Sequence, residues 1–154
     1  MKQSIIILLL LSALSCEKEN NNLKEVNVTS METELECFRC TIGACYDCEF
    51  VITNKNSYLS LDSLKSDSEE CTSVQLPEIE FNEKTLLGKC TSIAGCAEVT
   101  YYRKVEKNKS TEKYIYTIEI DTSGRAHCYD RNMNWICVPK IPSNYSIEFK
   151  VIYK

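Results

Sequence analysis

The sequence predicts a mainly β domain, an antiparallel β-sandwich or partly open barrel with at most one short helix, braced by disulfides. Three observations predict it. From residue 97 onward, apolar and polar residues repeatedly alternate with a period of two, which is the period of a strand and not of a helix. β-Branched and aromatic residues dominate those stretches, and no helical apolar stripe exceeds ten residues. Ten cysteines among 154 residues point to an oxidising compartment, where disulfides form and persist. Alternation with a polar face left for water predicts antiparallel pairing.

The first element is residues 1–15. Lys2 supplies a positive charge, and Ile5 to Leu11 is an unbroken apolar run continued by Ser12-Ala13-Leu14. Ten helical residues reach about 15 Å, half a bilayer core. The segment therefore predicts a removable secretory signal rather than a membrane span. Ala13-Leu14-Ser15-Cys16 resembles the lipobox of bacterial lipoproteins, with Ala13 standing where that family usually carries Leu and with Leu14 bulkier than usual. The resemblance implies acylation of Cys16 and a lipid anchor in the outer membrane. Each buried methylene contributes about 0.8 kcal/mol, and two or more chains hold stably.

Glu17-Lys18-Glu19 and Asn20-Asn21-Asn22 bury nothing and read as a flexible tether. The acidic patch after Cys16 resembles the surface-export signal of Bacteroidota lipoproteins and implies a cell-surface position; the inner leaflet is the competing placement. Residues 23–36, charged and rich in Thr, Ser and Glu, extend the tether to residue 36 or form an edge strand. Residues 37–154 then make one Cys-rich β domain.

Within that domain Glu49-Phe50-Val51-Ile52 reads as a short strand, closed by Asn54-Lys55-Asn56. Tyr58, Leu61 and Leu64 sit three apart in Ser57–Leu64 and predict one short helix or a turn-rich segment. Ser66 to Glu70 reads as a charged loop, and Pro77 breaks any regular element beyond it. Strands are predicted at Thr85–Cys90 and Ala97–Glu106, the second with Val99, Tyr101, Arg103 and Val105 on one face. Asn108-Lys109-Ser110 is a turn. Lys113–Asp121 places Tyr114, Tyr116, Ile118 and Ile120 on one face. The last strand alternates most clearly, with Tyr145, Ile147, Phe149, Val151 and Tyr153 opposite Ser146, Glu148 and Lys150.

Apart from Cys16 there are nine cysteines: Cys37, Cys40, Cys45, Cys48, Cys71, Cys90, Cys96, Cys128 and Cys137. All nine are disulfide candidates, and their odd number leaves at least one thiol over. Cys37-Phe-Arg-Cys40 and Cys45-Tyr-Asp-Cys48 are two C-x-x-C units, a pattern able to grip a tetrahedral zinc. The four-residue spacer Thr41-Ile42-Gly43-Ala44 is short for that, so structural disulfides are the preferred reading. A redox-active C-x-x-C needs a strand before it and a helix start, and neither surrounds these. If Asn132-Met133 is a hairpin turn, Cys128 faces Cys137 across a non-hydrogen-bonded pair, where side chains approach closely. The competing nested arrangement joins Cys96 to Cys128 and Cys90 to Cys137.

Catalytic constellations are sparse. His127 is the single histidine, and as a strand neighbour of Cys128 it points to the opposite face. Metalloprotease and serine-hydrolase motifs are missing, as is a phosphate-cradling glycine loop. Glu78 and Glu80 are a candidate acid–base pair but read better as the polar face of a strand. Nine tyrosines suit either a binding surface or a packed sheet, and Trp135 reads as core. Asp62-Ser63-Leu64 resembles the short O-glycosylation motif of Bacteroidota secreted proteins. With Lys2 removed, the formal charge moves from −4 to −5. Mild, scattered acidity argues against a nucleic-acid partner.

Leu76-Pro77-Glu78-Ile79-Glu80-Phe81, then Leu86-Leu87-Gly88, then Ala94-Gly95-Cys96 resemble small lipoproteins that carry a protease-complex inhibitor-like domain, over residues 50–154. Glu80 and Cys96 stand where that pattern has Asp and an aromatic residue. The resemblance implies a β-rich, protein-binding domain without catalytic residues. The expectation is a non-enzymatic, cofactor-free surface lipoprotein whose β domain binds a protein or glycan partner. A redox or zinc protein built on Cys37, Cys40, Cys45 and Cys48, or a purely structural envelope component, are the alternatives.

Overall fold

The computed structural model describes residues 23–39, 47–94, 98–123 and 129–154. Among them the strands form two four-stranded sheets. The first orders β1 (Leu23–Val26), β5 (Glu98–Asn108), β6 (Lys113–Ser123) and β8 (Ser146–Tyr153) as β1-β5-β6-β8. The second orders β2 (Thr29–Ser30), β7 (Tyr129–Pro139), β4 (Lys84–Ala94) and β3 (Glu49–Ile52) as β2-β7-β4-β3. A short helix, α1 (Lys55–Leu59), runs into a 3-10 helix at Ser60–Leu64, and a single further helical turn spans Glu69–Thr72.

The sheets pack face to face. Val105, Tyr116, Ile118 and Ile120 of the first meet Leu87, Ile136 and Val138 of the second. The second sheet is covered on its other face too, where Phe38, Tyr58 and Leu61 close over Leu86, Met133 and Trp135. This explains two sequence textures. β4 is buried almost throughout and shows no alternation, its buried Thr85, Lys89 and Thr91 standing among apolar residues, whereas β8 keeps one face in water and alternates. Each large apolar side chain buried in full contributes about 1.5–3 kcal/mol over its exposed state. The doubly covered β4 and β7 therefore carry much of the domain's stability. The mainly β, sandwich-like class expected from the sequence is the one observed.

Four expectations are corrected. Residues 23–36 are not all tether. β1 and β2 pair with β5 and β7, and Met31 and Leu35 are buried. Asn132-Met133 is not a turn but the middle of the eleven-residue β7, paired residue for residue with β4. The pairing is not antiparallel throughout, because β6 and β8 run parallel from Lys113↔Ser146 to Ile120↔Tyr153. The chain leaves β6, crosses to the second sheet as β7 and returns, so β8 re-enters with the direction of β6. Ser66 to Glu70 is not wholly loop, since the helical turn begins at Glu69.

Candidate functional site

α1 starts where the side chain of Asn54 accepts the backbone N–H of Ser57 at 2.9 Å, a cap that satisfies an otherwise orphan donor. Its buried face presents Tyr58, whose ring packs on Phe81 at 5.2 Å and whose hydroxyl donates to the Pro77 carbonyl at 2.8 Å. Burial, with Cys137 adding to it, pushes the Tyr58 phenol well above its ordinary value, so it remains a neutral donor. Opposite α1 the stretch Val74–Glu80 adopts no regular secondary structure. Lys140, just past β7, holds the two sides together: its ammonium donates to the carbonyls of Thr53 and Phe81, each at 2.7 Å. Between them lies a cleft of about 560 Å³. Leu59, 54% exposed, stands at its lip, and Glu78 and Glu80 are exposed along its rim. The Glu78–Glu80 acid–base expectation gains no buried partner there.

A second polar cluster fills one side of the inter-sheet space. The Asn134 carboxamide oxygen accepts from Arg103 Nε at 3.0 Å and Nη2 at 2.7 Å, and its nitrogen donates to the Lys89 carbonyl and to Thr91 Oγ1. Arg103 also pairs with Glu32, which accepts from Asn132 Nδ2 at 3.0 Å. Arg103 lies over the Tyr101 ring at 5.0 Å. Each polar side chain in this network has a partner, which is what burial requires. Across the same space Lys89, with a side chain 5% exposed, pairs with Asp47 at 2.6 Å and Glu49 at 2.8 Å. Burial pulls the Lys89 ammonium downward, but its bonds to Asp47 and Glu49 outweigh that and hold it above the usual lysine value.

The cysteines divide sharply. Cys37 and Cys71 form a disulfide with Cα atoms 5.4 Å apart, and Cys48 is disulfide-bonded as well. A zinc site on Cys37, Cys40, Cys45 and Cys48 is thereby overturned, because thiolate ligands are consumed by bridging. Cys90 and Cys137, both disulfide candidates, are instead buried thiols. The 128–137 and 90–137 bridges are overturned with them. Tyr129–Pro139 is one continuous strand with Cys137 near its end, not a hairpin. Cys137 faces Leu86, and Cys90 is four residues further along β4, about 13 Å at strand rise and beyond any bridge. Burial raises the Cys137 thiol above its ordinary value. Cys16, Cys40, Cys45, Cys96, Cys128 and His127 lie outside the described residues, as does any 96–128 bridge.

Trp135 is core, and Tyr114 and Tyr116 pack inside the sheet, whereas Tyr102 and Tyr153 are exposed. Asp62 and Ser63 are exposed, with Ser63 Oγ donating to the Ser60 carbonyl at 2.7 Å. Sequence reasoning missed the Lys140 clamp and both polar clusters. The signal for Lys89 was present: a lysine inside the apolar run Leu86–Cys90 must find a partner when buried. Among the described residues no group of three or more His, Cys, Asp or Glu side chains is placed to hold a metal, and no helix is long and apolar enough to cross a membrane. The chain matches no protein-family model, no curated protein and no solved structure.

Proposed function

We propose that the chain is an exported, lipid-anchored, non-enzymatic binding protein. Acylated Cys16 tethers it to the outer membrane with the β domain facing outward, and the domain takes a protein partner through the cleft beside α1. The observation that carries this reading is the cleft wall. Leu76–Phe81, the stretch that resembles inhibitor-like lipoprotein domains, forms one side of the cleft of about 560 Å³ and is braced by Tyr58 and Lys140. A wall fixed without a strand or helix of its own exposes polypeptide groups and an apolar lip to a visitor, with little rearrangement on binding. The cleft's aromatic ring at Tyr58 is buried rather than offered as a stacking platform, which favours a protein segment over a glycan.

The test places a photo-crosslinking residue at Leu59 in intact cells, with Tyr102 on the far sheet as control. A discrete protein adduct from position 59, lost with Glu78→Arg/Glu80→Arg and missing from position 102, is the expected result. No adduct from position 59, or the same adducts from both positions, overturns the cleft reading and leaves a structural envelope component.

A further inference from the structure

We propose that the chain forms a two-fold dimer in which β8 pairs antiparallel with β8 of a second copy, the axis passing at Phe149. β8 is the last strand of its sheet, and among the described residues no strand covers its outer side. Which backbone groups face outward is fixed by the inner side. Ser146 N–H donates to the Glu112 carbonyl and Lys154 N–H to the Ile120 carbonyl, so the even-numbered residues bond inward. The N–H and C=O of Ile147, Phe149, Val151 and Tyr153 consequently point outward, ready for another strand.

The side chains select the occupant. A two-fold axis at Phe149 places Phe149 opposite its own copy and Ile147 opposite Val151 of the second copy. All of these are outward-bonding residues, so the main-chain ladder closes. Glu148 then stands opposite Lys150 of the other copy, and Lys150 opposite Glu148. Both are non-hydrogen-bonded pairs, where Cα atoms approach to about 4.5 Å and opposite charges stabilise. Within its own copy Glu148 also accepts from Lys113 Nζ at 2.7 Å, so in the dimer each carboxylate lies between two ammonium groups. Shifting the axis to residue 148 sets Glu148 against Glu148, and shifting it to residue 150 sets Lys150 against Lys150. An edge lysine ordinarily discourages pairing. With Glu148 two residues away, it instead favours the register that sets the two opposite each other.

The core supplies a second reason. On β6 the inward row Tyr114, Tyr116, Ile118 and Ile120 is buried, but Ile147, Phe149 and Val151 on β8 are only half-buried, and Tyr153 is 59% exposed. Val51 of β3, on the same open side of the sandwich, is 45% exposed. A second β8 extends the sheet over this lip and covers it. The surface is separate from the cleft beside α1, so the dimer stands or falls independently of the binding reading.

Sedimentation velocity of the full chain in a neutral detergent tests the dimer. The wild type is expected to sediment as a concentration-dependent dimer, and Lys150→Glu as a monomer wherever the wild type is dimeric, with the melting temperature that the wild type shows once diluted to monomer. The exchange Glu148→Lys/Lys150→Glu restores the dimer, and an equimolar mixture of Glu148→Lys with Lys150→Glu forms the heterodimer. A wild type that stays monomeric at every soluble concentration overturns the proposal, and so does a Lys150→Glu chain that stays dimeric. Failure of both the exchange and the mixture to dimerise overturns the register.

Discussion

Gly88 on β4 lies directly opposite Trp135 on β7, and the indole occupies the space where a side chain at position 88 would stand. A Cβ at Gly88 would collide with the six-membered ring of Trp135 and come within 2.8 Å of Met133 Cε. The indole is fixed in place by its N–H, which donates to the Phe38 carbonyl at 3.0 Å, and by Phe50, whose ring centroid is 5.3 Å away. Phe50 is paired with Gly88 from the other side. The glycine is therefore a packing position: a β-strand gives up a side chain so that two aromatic rings from flanking strands can close over it.

Gly88→Ala is expected to lower stability by about 1–3 kcal/mol, the usual cost of overpacking a filled core. Trp135→Phe vacates the overlapped space, so the alanine should cost about 1 kcal/mol less in that background, as contacting residues couple. Urea unfolding of the two single variants and the double variant measures this. An additive pair would contradict the contact.

The Cys37–Cys71 bridge closes a separation of 34 residues. In the chain-entropy picture a loop of that size contributes about 3–4 kcal/mol. Cys37→Ser/Cys71→Ser should lose that much, measured by denaturant unfolding without reductant. Cys137, buried with a raised thiol pKa, should resist thiol reagents in the native protein and react on unfolding. Rapid native labelling of Cys137 would contradict its placement.

Asn134 is fully buried and binds Arg103, Lys89 and Thr91 at once. Asn134→Leu takes the acceptor from Arg103 Nε, although Glu32 still pairs the guanidinium, and leaves the Lys89 carbonyl and the Thr91 hydroxyl without their donor, at a cost of about 2–4 kcal/mol. Glu32, whose side chain is 30% exposed, is within reach of water, so Glu32→Gln should cost about 1 kcal/mol. Chemical unfolding of both variants checks the order, and an equal loss would contradict it.

Alkaline pH should destabilise the domain progressively. Burial first raises the Cys137 thiol and the Tyr58 and Tyr116 phenols, and Lys89 is raised by Asp47 and Glu49 against its burial. A raised folded pKa stabilises fully below the unfolded value, and the stabilisation is lost as pH climbs through the folded one. The loss therefore begins near the unfolded thiol value of about 8.5 and deepens past the phenol and lysine values of about 10. Thermal melts against pH should show this, with Cys137→Ser removing the earliest part of the decline. A flat profile to about pH 10 would contradict it.

Much of this architecture was legible in the chain. β5, β6 and β8 follow from alternation, because a sheet face against water stamps a period of two on its residues, and β3 from a short apolar run closed by turn residues. β7 was not legible. Asn132 and Asn134 look like turn residues, yet they are mid-strand side chains that bind Glu32 and Arg103 across the sandwich. The parallel β6–β8 pair was equally hidden, since alternation records which face is wet and not which way the neighbour runs. The pairing of Cys37 with Cys71 depends on long-range folding that spacing alone does not encode. The cleft was half legible: Leu76–Phe81 stood out, but its clamp, Lys140, is joined to it only by the fold.

The proposed function stands on export: an acylated, disulfide-braced domain held outside the cytosol. Mass spectrometry of the protein purified from its native membranes, digested without reduction, reads both features in one sample. The expected spectrum contains an N-terminal peptide beginning at diacylglyceryl-modified Cys16 together with a crosslinked peptide joining Cys37 to Cys71. An unacylated peptide beginning at Met1, with Cys37 and Cys71 recovered as reduced thiols, is incompatible with export.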